Sequence, residues 1–221
     1  MERLIKVTGR GRLSLKPDTV RLRIDLIDQD REYDRAIRSS ALHSQELREA
    51  FTDFGFDPSD IKTLSFRVDT EYESYQDKED NSWKQRLVGY KAYHMLKIEF
   101  PTERESIGRI FAMVAGLSGK PEFYVEYTVK DTEGARNELL KNAVADSKLK
   151  AEVLAEAAGV RLGEIATIDY SWGEVEFVAR PMNKMSRALM AEAAVEDSMD
   201  FDVVPDDIKV DDTVTVVWSL K

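Results

Sequence analysis

Apolar and polar positions alternate along much of the chain, and the alternation marks its strands. Ile5, Val7, Gly9, Gly11, Leu13 and Leu15 share one face of residues 4–15. After the turn signal Lys16-Pro17-Asp18, Val20, Leu22, Ile24 and Leu26 share one face of the next run. These two runs predict an N-terminal hairpin. From residue 31 the period becomes helical. Tyr33, Ile37, Ser40, Ser44, Leu47, Phe51 and Phe54 form one stripe, which predicts a helix over 31–54 stopped by Gly55. Leu64, Phe66, Val68 and Tyr72 then alternate, as do Val88, Tyr90, Ala92, His94, Leu96, Ile98 and Phe100, with residues 75–83 as a long polar hairpin tip.

Thr102 and Glu105 have capping-box spacing before a short helix with Ile107, Ile110, Phe111 and Val114 on one side. Phe123, Val125, Tyr127 and Val129 predict a strand. A helix over 132–158 follows, with Leu140, Ala143, Val144, Ser147, Ala151, Leu154 and Ala158 inward and Gly159 as its stop. Ala166, Ile168, Tyr170 and Trp172 alternate next. The last strand holds Ile208, Val210, Val214, Val216, Trp218 and Leu220.

The chain repeats itself. Gly55, Asp60, Ile61, Thr63, Leu64 and Phe66 recur at the same offsets as Gly159, Glu164, Ile165, Thr167, Ile168 and Tyr170. Each copy follows an alternating strand and a long helix, and each leads to a further strand. The unit is β-α-β-β, used twice. One copy exposes an apolar sheet face that it cannot bury alone. The fold class expected is α+β, mostly antiparallel sheet packed on long helices. The hairpin and first repeat occupy 1–101. A linking helix and second repeat occupy 102–221, interrupted by an insertion over 178–206, and together they form one domain.

Composition narrows the chemistry. The 221 residues include no cysteine, which excludes disulfides, cysteine-ligated metals and a cysteine nucleophile. Only two histidines, His43 and His94, are present. A net charge of −10 repels nucleic acid, so no nucleic-acid partner is expected. Residues 1–24 are nevertheless basic and 196–212 strongly acidic, which predicts that the two ends neutralise each other across strands. No apolar run is long enough to span a membrane. The first residues contain no apolar leader core, so the sequence as it stands is expected in the cytoplasm. A leader removed ahead of this start would place the protein in the periplasm or cell envelope instead.

Val7-x-Gly9-x-Gly11, Pro17-Asp18, Gly55 to Thr63, Gly89-Tyr90-x-Ala92, the Ala143–Gly159 helix with Lys148 and Lys150-Ala151, Leu162-Gly163, and the final Ile208-x-Val210 and Val214-x-Val216 follow one another in order. This ordered set resembles the SIMPL-domain family, which includes bacterial periplasmic and outer-membrane-associated immunogenic proteins and a vertebrate signalling adaptor. The resemblance implies an α+β fold, assembly of some members into large ring- or channel-like homo-oligomers, and a link to oxidative-stress tolerance without an agreed biochemical activity. It carries over no catalytic residue. Where the family often has Pro-Gly before its last strand, this chain has Pro205-Asp206.

Catalytic constellations are weak. His94, on the apolar face of a strand, is expected as a hydrogen-bonded core residue. His43 and Ser44 are adjacent on a helix, where side chains diverge by about 100°, and so do not form a nucleophile–base pair. Gly9-Arg10-Gly11 falls inside a strand, which favours a bulge or a close backbone approach over a phosphate loop. The aspartates of 197–212 lack a calcium-loop pattern. No cofactor, metal or catalytic residue is assigned. Candidate interaction residues are Tyr72, Tyr75 and Trp83 on the hairpin, Trp172, and Met182, Met185, Leu189, Met190 and Met199 in the insertion, where methionines suit adaptable contacts. The function expected is a non-enzymatic, self-assembling scaffold or interaction protein, with a homo-oligomer or a protein partner. The alternative is a small-molecule or peptide binder using a cleft between the repeats.

Overall fold

The computed structural model describes residues 3–77, 81–103, 107–170, 175–179 and 205–221. The strands are β1 (Leu4–Leu15), β2 (Thr19–Asp30), β3 (Lys62–Gln76), β4 (Trp83–Pro101), β5 (Glu122–Thr128), β6 (Leu162–Asp169), β7 (Val178–Ala179) and β8 (Ile208–Leu220). The helices are α1 (Tyr33–Asp53), α2 (Ile107–Ala115) and α3 (Thr132–Ala157). The fold is α+β with antiparallel sheets. Its elements form two compact units. A terminal unit comprises Met1–Asp18, Tyr127–Ala179 and Pro205–Lys221, and a central unit contains Thr19–Glu126. Their limits, at residues 18 and 126, differ from the sequence-repeat boundary at 101.

In the central unit β2, β3 and β4 pair antiparallel in the order β3-β4-β2, with β5 beyond β2. Val20, Leu22, Ile24 and Leu26 of β2 lie opposite Phe100, Ile98, Leu96 and His94 of β4. Their shared face, all buried except His94, takes the α1 stripe of Ala36, Ser40, Ser44, Leu47 and Phe51. The reverse face is solvated and charged, with Arg21 bridging Glu99 at 2.6 Å. The strand period of two separates these faces.

In the terminal unit the order is β1-β8-β6, and α3 lies on β1 and β8. Ala135, Leu139, Ala143, Ser147, Ala151 and Ala155 are its buried residues. They step by four on one helix face, and because all but Leu139 are small the helix comes close to the sheet. Gly9 and Gly11 supply the matching room. A Cβ on Gly9 would overlap the Ala143 carbonyl oxygen, and one on Gly11 the Leu139 carbonyl oxygen. The Gly-x-Gly of the N-terminus is therefore a close backbone approach.

The two units repeat one plan. β2-β4-β3 under α1 matches β1-β8-β6 under α3. Both helices also end alike. Gly55 and Gly159 adopt φ of 83° and 68°. Phe56 N–H donates to Phe51 O and Val160 N–H to Ala155 O, closing the same C-terminal motif twice. Phe51 and Phe56 stack edge to face at 5.4 Å across the first of these.

The N-terminal hairpin does not form. β1 pairs with β8, Val7 opposite Val216 and Leu13 opposite Val210, while β2 pairs with β4. The turn signal at 16–18 is real, but it redirects the chain instead of folding β2 back on β1. Asp18 N–H donates to Thr128 O at 3.1 Å, and Asp18 Oδ1 accepts from Lys130 N–H at 2.8 Å. β1 thus fills the strand position that β5 would hold if each repeat were contiguous. The pairing also neutralises the two charged ends. Arg10 bridges Asp211 at 2.9 Å, and Arg12 lies opposite Asp211 in the register.

Candidate functional site

An apolar pocket of about 390 Å³ opens in the central unit between α1 and the β3–β4 hairpin. Ile37, Ala41, Ser44, Gln45 and Arg48 line it from α1, and Phe66 and His94 from the strands. The local reason is simple. The helix covers β2 and β4 but not the outer strand β3, so Phe66 remains 48% exposed beside its flank. The pocket residues at 37, 41, 44, 45 and 48 share one helix side by their spacing of three and four.

Two polar groups at the pocket are held in place. Arg48 donates through one nitrogen to the carbonyls of Pro58 and Ile61, both at 3.2 Å. It makes no ion pair with a carboxylate among the described residues. His94 Nε2 lies 3.0 Å from Thr63 Oγ1, and its ring meets Phe66 edge-on at 5.3 Å. Burial, reinforced by the Arg48 guanidinium and opposed by Asp28, holds the His94 pKa below the ordinary histidine value. The imidazole is therefore favoured neutral. His94 is hydrogen-bonded as expected, but it is half-buried at the pocket wall and not enclosed in the core, because the helix leaves this side of the strand open.

Next to the pocket, His43 Nδ1 lies 2.6 Å from Asp28 Oδ1, and Asp28 is 6% exposed. The sequence reading missed this pair. Its signal was Asp28 itself, a carboxylate two residues beyond Leu26 on an otherwise apolar strand face. The His43 ring packs on Gly119, where a Cβ would lie 2.9 Å from His43 Cγ. Glu46, one turn-step away, accepts from Ser118 N–H at 3.0 Å. This hydrogen bonding, first from the Ser118 hydroxyl and then its amide, pulls the Glu46 carboxyl below its usual range. Together these contacts fasten the 118–119 turn to α1, a structural task.

In the terminal unit the two sheet edges are treated differently. α3 side chains cap the free edge of β1. Asp146 accepts from Arg10 N–H at 2.7 Å, Lys150 donates to Thr8 O at 3.3 Å, and Asn142 donates to Arg12 O at 3.4 Å. At the other edge β6 has no covering element among the described residues. Ile165 and Ile168 lie opposite Trp218 and Val216, on the helix side of the sheet, yet are 44% and 52% exposed.

The predicted hairpin residues separate. Tyr72 and Trp83 are exposed, lying opposite Leu87 and Gln76 on one face of the β3–β4 arm. Tyr75, opposite Lys84, lies on the other face under the Arg86 guanidinium at 5.6 Å. Trp172, Met182, Met185, Leu189, Met190 and Met199 lie outside the described residues, as does Glu105 of the capping box.

These features define a two-unit α+β protein in which β3 and β6 are covered by no helix among the described residues. The chain belongs to the SIMPL family, described as a protein of unknown function (DUF541), whose model matches residues 5–218. It is similar to the 26 kDa periplasmic immunogenic proteins of Brucella melitensis and Brucella abortus, each 26% identical over 164 residues, or 74% of this chain. The match spans 65% of the length of these curated relatives. No helix among the described residues is long and apolar enough to cross a membrane.

Proposed function

We propose that this is a non-enzymatic interaction protein that assembles with copies of itself through β6. The supporting observation is the contrast between the edges of one sheet. β1 is capped by side chains of α3, whereas β6 has no covering element among the described residues and carries two half-exposed isoleucines. An open apolar edge recruits another strand, and a stable native protein covers it by design or by partner. The charges of β6, Glu164 and Asp169, flank its apolar stretch and do not interrupt it. The periplasmic naming of its relatives supports the periplasm as its compartment.

Replacing Ile165 and Ile168 together with lysine places two charges on this face. Sedimentation velocity should give a mass that is a multiple of 25.2 kDa for the parent and 25.2 kDa for the variant, with unchanged circular dichroism. A parent that stays monomeric, or a variant that assembles like the parent, defeats the reading.

A further inference from the structure

We propose that the strand received by β6 is β3 of a second copy, so that the two duplicated edges of this protein pair with each other from one chain to the next. The inference rests on the assembly reading above and names the partner of that edge. Position in the sheet, spacing and charge carry it.

β3 and β6 are the same element of the repeated unit, and both are outer strands. Among the described residues β3 pairs only with β4, and β6 only with β8. Each carries half-exposed apolar side chains, Phe66 on β3 and Ile165 and Ile168 on β6. In a regular strand, positions three apart face opposite sides of the sheet. Both edges break this rule over the same interval. Thr63 and Phe66 lie opposite Leu96 and His94, both on the helix side, because β3 has one extra residue between Thr63 and Ser65. Ile165 and Ile168 lie opposite Trp218 and Val216, again on the helix side, because β6 has one extra residue between Ile165 and Thr167. A regular strand falls out of register along such an edge, whereas a strand with its own bulge there keeps its apolar side chains on the matching face.

Charge brackets the interval with opposite signs. Lys62 and Arg67 flank it on β3, and Glu164 and Asp169 flank it on β6, at the same separation. All four are exposed. In either strand direction, aligning one acid with one base aligns the second pair. The same alignment sets Ile165 and Ile168 against Thr63 and Phe66. Opposite charges facing each other across strands stabilise the pairing, and like charges oppose it. When β6 pairs antiparallel with another β6 so that Ile165 opposes Ile168, Glu164 faces Asp169. Arg67 also bridges Asp69 of its own strand at 3.1 Å, but both side chains are more than half exposed, where such a pair is weak.

Charge reversal in the full chain, read by sedimentation velocity, tests this. Glu164→Lys with Asp169→Lys makes the β6 edge basic like β3. Lys62→Glu with Arg67→Glu makes the β3 edge acidic like β6. Each double variant alone should sediment at 25.2 kDa. Their equimolar mixture should recover the assembled mass of the parent, because each edge then meets the opposite charge on the other variant. The quadruple variant should assemble by itself. A Lys62→Glu, Arg67→Glu variant that assembles as the parent does would overturn β3 as the partner and leave assembly through β6 standing. Double variants that stay monomeric when mixed, each with the parent's circular dichroism, would also overturn it. A monomeric parent removes both readings.

Discussion

Single residues show how much space and backbone conformation each contribute. Gly9 and Gly159 are both required, for different reasons. Gly9 has ordinary strand φ but no room, because helix backbone occupies the Cβ position. Gly159 has nothing within 4 Å of its Cβ position but a φ of 68°. Gly9→Ala must push α3 off β1 and should cost about 3 kcal/mol or more, at the upper end of overpacking effects. Gly159→Ala faces only the left-handed backbone penalty and should cost about 1–2 kcal/mol. Urea unfolding of the two variants checks the order; equal losses would mean that α3 yields easily. The glycine spacing was legible in the sequence as a close approach, though not its partner, since nothing local ties residues 9 and 11 to residues 139–147. The Asp28–His43 pair was equally hidden. Fifteen positions separate the two side chains, and only the turn from β2 into α1 brings them within 2.6 Å.

Among elements, strands and long helices were legible because their periods run over many residues. Residues 4–15 and 208–220 were placed at their observed bounds, and the two long helices within two residues. Strand pairing was legible only for the β3–β4 hairpin. Alternation says which face is apolar but not which strand lies alongside, and short-range turn chemistry suggested a hairpin where a crossover occurs. The edge of β1 gives this pairing a pH signature. Lys150 first, then the Arg10 amide, holds the Asp146 carboxyl below the usual aspartate range. Arg10, aided by Arg12, does the same for Asp211 across β1–β8. A carboxyl whose folded pKa is depressed contributes stability above its unfolded pKa and loses it as pH falls through the folded value. Stability should therefore decline below about pH 4. Asp146→Asn should flatten part of that decline, the remainder belonging to Asp211. Urea midpoints between pH 3 and pH 7 measure it; an acid limb as steep as the parent's would remove Asp146 from this role.

For the whole molecule, the duplication explains both the architecture and its open surfaces. A β-α-β-β unit has one helix for three strands, and α1 and α3 each cover two. The helices differ in how they meet their sheets: α1 buries Leu47 and Phe51, whereas α3 buries alanines, a serine and Leu139 against the glycines of β1. In both units the strand left over carries apolar residues at the repeated Leu64 and Ile168 positions, which are 47% and 52% exposed. That outcome was foreshadowed by the repeat, since a duplicated unit duplicates its shortage of cover. The sequence could not indicate that one such gap would form a pocket beside α1 and the other an edge with no covering element among the described residues. The most direct test of the assembly account is amide hydrogen exchange of residues 162–169 across a protein concentration series. The outward-facing amides of β6 should become protected as concentration rises, in step with the appearance of the assembled mass. Rapid exchange of these amides at every concentration, in a protein that nevertheless assembles, would contradict it.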